Sequence, residues 1–96
     1  MNKVVILFTM ESCPYCHMLK EMLDKENITY YDRDINEHKE EYDMFVEATQ
    51  NEFVPAFMLI ESPESDEPST NLYAPERDFD DLEDGVNIIK EFVERQ

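Results

Sequence analysis

An unbroken apolar run, Val4 to Phe8, passes through a short polar turn, Thr9 to Ser12, straight into Cys13-Pro14-Tyr15-Cys16 and a helical pattern. A run without polar alternation predicts a strand covered on both faces, because a strand with one wet face alternates. Pro14 suits the first helical position, where its missing N–H costs nothing. Tyr15, Met18, Leu19, Met22 and Leu23 then repeat with helical spacing, which assigns Cys13 to the N-cap. A strand feeding directly into a helix continues, by the right-handed crossover rule, to a second strand parallel to the first. The cysteines then lie at the carboxyl end of strand one, where open α/β sheets bind ligands.

The remaining elements follow from local pattern. Ile28 to Asp34, ITYYDRD, is rich in strand formers, and Asp34 with Glu37 forms a capping pair for a second helix whose apolar side is Tyr42, Phe45 and Val46. Ala56 to Ile60 reads as a buried strand and Thr70 to Ala74 as a weaker one. Between them Glu61 to Ser69, with two prolines and four acids, reads as an exposed hairpin loop. A last helix begins near Asp78 to Asp81, with Leu82, Val86, Ile89 and Val93 as its core stripe and Gly85 as an internal weak point of about 1 kcal/mol against alanine. The predicted order is β-α-β-α-β-β-α, in a single domain spanning residues 1–96.

Charge narrows the partners. The 24 acidic residues against 8 basic give a formal net charge of -16. That balance repels nucleic acid and anionic lipid alike, so neither partner is expected. Its plain reading is a solvated surface, and steering of basic partners is the minor alternative. With 42% hydrophobic residues in 96, the composition is globular and supports one modest core. The amino-terminal MNKVVILFT is too short in apolar residues for a signal-peptide core or a membrane span, so a cytoplasmic location is expected.

In a reducing compartment, two cysteines three apart are more readily a redox or metal pair than a permanent staple. A closed zinc site needs about four ligands, and beyond the cysteines the chain offers only His17 and His38, both read as helix surface. A disulfide closing so short a loop constrains little of the unfolded chain. At a helix start, by contrast, unpaired N–H groups and the dipole favour thiolate over thiol at Cys13, the candidate nucleophile. Cys16, one turn on, can attack a mixed disulfide formed on Cys13 and release the reduced partner.

These residues resemble the dithiol glutaredoxins of the thioredoxin-fold superfamily. The Cys13-Pro14-Tyr15-Cys16 motif is the form typical of that family, and the element order fits along nearly the whole chain. The resemblance implies an α/β, thioredoxin-like fold with a four-stranded mixed sheet and three helices. It implies catalytic Cys13 and Cys16, and no resident metal. Val54-Pro55 corresponds to the family's Thr-Val-Pro, whose proline is cis and whose backbone pairs with the bound peptide or glutathione. Read without the family, Pro55 is a strand-start proline. Phe79-Asp80-Asp81-Leu82 resembles the segment that receives the γ-glutamyl end of glutathione, with Asp80 or Asp81 meeting the ammonium; read alone, these acids cap a helix. Tyr15 completes the implied glutathione-binding set.

The implied activity is reduction of protein disulfides or glutathione mixed disulfides, with glutathione as co-substrate. The expected partners are disulfide-containing proteins, with basic surfaces where charge selects them, and the chain is expected to be a monomer. The alternatives are a donor reduced by thioredoxin reductase and a metal or iron-sulfur carrier using Cys13. This chain departs from the family pattern at Met10 (lysine in many members), Phe53 (threonine), Arg77 and Asp78 (paired glycines), and in its longer loop from Glu61 to Ser69. The loss of cations predicts weaker glutathione binding, with Lys20 or Lys39 compensating in part.

Overall fold

A computed structural model describes residues 3–95. Among them the elements run β1 (Lys3–Thr9), α1 (Pro14–Lys25), β2 (Tyr31–Asp34), α2 (Lys39–Thr49), β3 (Ala56–Glu61), β4 (Ser69–Tyr73) and α3 (Leu82–Glu94). The four strands form one mixed sheet in the order β2-β1-β3-β4, with β1 parallel to β2 and antiparallel to β3, and β3 antiparallel to β4. This is the expected thioredoxin-like α/β fold.

The unbroken apolar run in β1 has its physical reason in the two cores it serves. Val5 and Leu7 point into a cluster with Leu19 and Leu23 of α1 and Val86, Ile89 and Phe92 of α3. Ile6 and Phe8, on the opposite face, pack with Tyr42 and Phe45 of α2. The Phe8 ring sits 5.0 Å from Phe45 and 5.7 Å from Tyr42, centroid to centroid and tilted in both pairs. Such aromatic pairs add about 0.5–1.5 kcal/mol beyond their buried area.

Several boundaries differ from the sequence expectation. Strand β2 opens at Tyr31 rather than Ile28, because the chain is still leaving α1. Asn27 takes a left-handed φ of 58°, and the Ile28 N–H donates to Leu23 O at 3.0 Å, turning Ile28 into the core. Helix α2 opens at Lys39 with His38 as N-cap, not at an Asp34–Glu37 box. Asp34 is already engaged, its carboxylate accepting from Asn36 N and its carbonyl from the N–H groups of Glu37 and His38. Strand β4 is displaced by one residue, and Ala74 is buried just beyond it.

In α1 the buried line is Cys16, Leu19 and Leu23, while Tyr15 and Met18 lie exposed on the adjacent flank. In α3 Phe92, not Val93, completes the buried stripe. A Cβ at Gly85 would stand 3.4 Å from the Phe79 ring and 3.5 Å from Phe57, at ordinary van der Waals contact, so the position has room for alanine and remains the internal weak point expected of it.

Candidate active site

The turn after β1 delivers Cys13 to the start of α1. Cys13 is the N-cap, in extended conformation, and its Sγ accepts a hydrogen bond from Cys16 N at 3.1 Å. Cys13 and Cys16 are joined as a disulfide with Cα atoms 5.2 Å apart, so the structure is that of the oxidised pair. Cys16 is fully enclosed, at 0% exposure, and Cys13 retains 7%. No acidic residue occupies the first turn of α1, which leaves the positive end of the helix facing the sulfur.

Opposite the sulfur stands the Val54-Pro55 peptide, which is cis as expected. Cys13 Sγ lies 4.0 Å from the Val54 carbonyl oxygen. The loop carrying this peptide is anchored from both sides. Tyr42 OH donates to Glu52 O at 2.6 Å, and Asn51 Oδ1 accepts from Phe53 N at 2.9 Å. The same Asn51 side chain donates through Nδ2 to Pro75 O at 2.8 Å, tying this loop to the segment that leads into α3.

That segment is a tight turn. Glu76 adopts a left-handed φ of 68°, its N–H donates to Phe79 O at 2.8 Å, and the Asp78 carboxylate accepts from Ala74 N while pairing with Arg77 at 3.0 Å. Asp81 is the N-cap of α3, accepting from Asp84 N at 2.8 Å. The capping role read from sequence therefore holds for Asp81, whereas Asp78 serves the preceding turn.

Between these walls runs a groove of about 690 Å³. It brings together Tyr15, Val54, Pro55, Asp80 and Asp81, all of the residues that the resemblance assigns to glutathione binding. Met18, Phe53, Pro75, Glu76, Phe79 and Leu82 complete its lining. Of these, Glu76 and Pro75 escaped the sequence reading entirely, and Met18 was read only as part of the helical repeat of α1. Tyr15, at 63% exposure, and Phe53, at 58%, stand over the opening as uncovered aromatic faces.

The cations expected to compensate are elsewhere. Lys20 pairs with Asp32 at 2.9 Å, lining a separate hollow of about 250 Å³ with Thr9, Met10 and Glu11, and Lys39 pairs with Asp43 at 2.9 Å along α2. The charged residues lining the groove itself are Glu76, Asp80 and Asp81. Burial alone would raise the Asp32 carboxyl. Hydrogen bonds from Thr9 and Lys20, and the charges of Lys20 and His17, outweigh it and hold Asp32 below the usual carboxylate range. His17 turns its Nε2 to Glu11 O at 2.8 Å. Among the described residues no three His, Cys, Asp or Glu side chains converge as metal ligands, and no helix is long and apolar enough to cross a membrane.

Comparison with known proteins agrees with this geometry. The family model described as Glutaredoxin matches residues 5–59, from β1 through the active turn and the cis-proline loop into β3. Two curated relatives, Glutaredoxin 1 of Rickettsia prowazekii (strain Madrid E) and Glutaredoxin 1 of Rickettsia typhi (strain ATCC VR-144 / Wilmington), are each 39% identical over 51 residues. The matches cover 48% of this chain and 54% and 49% of those proteins, so the chain spans about half the length of the curated relatives it matches.

Proposed function

The chain belongs to the glutaredoxin family, and on that premise we propose that it is a thiol-disulfide oxidoreductase reducing protein disulfides or glutathione mixed disulfides. The observation that carries this reading is the placement of Cys13, capping α1 and facing the Val54 carbonyl beside an open groove, with Cys16 enclosed behind it. In the reduced protein the Cys13 thiolate attacks one sulfur of the substrate disulfide and the other sulfur leaves as a thiol. Cys16 then attacks Cys13 Sγ, the second substrate thiol departs, and the Cys13–Cys16 disulfide remains. The substrate gains two electrons and two protons from the dithiol, and two equivalents of glutathione restore it.

Each neighbouring feature assists a step. The N–H of Cys16 and the helix dipole stabilise negative charge on Cys13 Sγ, which helps it both to attack and to leave. The Val54 backbone offers an edge for an extended segment beside the sulfur, in the manner of strand addition. Asp80 or Asp81 at the start of α3 meets an ammonium, as on the γ-glutamyl end of glutathione. A cytoplasmic location fits a cycle that ends in a reduced dithiol.

The test is turnover of a small glutathione mixed disulfide with glutathione, glutathione reductase and NADPH. Cys13→Ser is expected to abolish it, and Cys16→Ser to retain only reactions that pass through one cysteine. Activity in Cys13→Ser combined with a dead Cys16→Ser would reverse the assignment. No turnover by the wild type would remove glutathione from the cycle.

A further inference from the structure

We propose that the oxidised substrate suited to this groove is a cationic peptide segment, with lysine or arginine beside its disulfide-bonded cysteine, and that Glu76 and Asp80 select it. The inference rests on the oxidoreductase reading above and names its substrate class. Its first support is the sign of the lining, where every charged side chain, Glu76, Asp80 and Asp81, is a carboxylate. The second is that no lysine or arginine is among the described residues lining the groove, and Lys20, Lys39 and Arg77 pair with Asp32, Asp43 and Asp78. The third is the defined backbone position of Glu76. A left-handed φ is uncommon outside glycine and persists where the surroundings impose it. Here the Glu76–Phe79 backbone bond and the Asn51–Pro75 bond hold that turn against the cis-proline loop.

Asp81 is committed to capping α3, which assigns the selection to Glu76 and Asp80, both exposed. Tyr15 and Phe53 add aromatic faces at the same opening. Such faces receive the aliphatic stem of a lysine or arginine, and its charge, at about 0.5–1 kcal/mol at exposed sites. Glutathione presents more carboxylates than ammonium groups, so an acidic lining attracts one end of it and repels the other. A basic peptide meets only attraction. The chemistry is that of the cycle above: the peptide disulfide takes two electrons and two protons from the Cys13–Cys16 dithiol and leaves as two thiols.

The experiment is stopped-flow oxidation of the prereduced protein, without other reductant, by cystine peptides that differ only in a flanking lysine, serine or glutamate. The lysine peptide is expected to react faster than the glutamate peptide by on the order of tenfold in low salt, with the gap narrowing as ionic strength rises. Glu76→Gln and Asp80→Asn, each removing one charge from a strongly acidic surface, should each narrow it by about two- to threefold. Equal rates for the three peptides, or a gap untouched in both variants, would overturn the assignment. Oxidation by none of them, the serine peptide included, would overturn the oxidoreductase reading itself.

Discussion

Asp32 illustrates how much one side chain does here by joining elements. It accepts from Thr9 of β1 and from Lys20 of α1, while itself belonging to β2. Its carboxyl is held below the usual range in the folded protein. A group whose folded pKa is depressed contributes stability that is full above its unfolded pKa of about 3.9 and disappears as pH falls through the folded value. Urea midpoints measured from pH 6 down to pH 2 should therefore fall more shallowly for Asp32→Asn than for wild type. At this scale the sequence was most legible where chemistry needs a fixed local spacing: Cys13 and Cys16 across one helical turn, and Asp81 three residues before the N–H it caps. Glu76 was not legible, because its place beside the groove depends on a bond from Asn51 to Pro75 across 24 positions, which no local pattern records.

Among elements, the loop between α2 and β3 carries more than its sequence suggests. NEFVP contains no periodicity, yet Asn51 alone bonds to Phe53 on its own loop and to Pro75 on the opposite wall. Removing both bonds in Asn51→Ala should destabilise the protein by about 1–2 kcal/mol. It should also raise KM for peptide disulfides several-fold, while the rate at which reduced Cys13 reacts with a small alkylating reagent stays near wild type. Equilibrium unfolding and steady-state kinetics read the two effects separately. The helices were legible in existence and type, since amphipathic spacing survives any register. The starts of α1 at Cys13-Pro14 and of α3 at Asp81 were legible too, and that of α2 was not. Which flank of α1 meets the sheet and which meets the groove is decided by the angle at which it packs, so Tyr15 and Met18 could not be separated from Leu19 by spacing alone.

For the whole molecule, a net charge of -16 spread over 96 residues works against compaction. Added salt screens that repulsion, so the urea midpoint should rise between about 10 mM and 500 mM NaCl, in contrast to a fold dominated by attractive surface pairs. The composition disclosed this term, and the order of elements disclosed the topology. What stayed hidden is the distribution of sign, with lysines 20 and 39 folded onto neighbouring acids and the groove left to carboxylates.

The enclosure of Cys16 also has a temporal meaning. A sulfur with no accessible surface cannot be the first to meet an incoming disulfide. It can react only with something already tethered to its neighbour Cys13, which keeps 7% of its surface exposed. In the proposed cycle, access would therefore fix the sequence of events, capture before release, and would keep a large partner from being seized by the wrong end of the pair. The two thiols would then need no distinction by chemistry alone, because geometry would tell each one when to act.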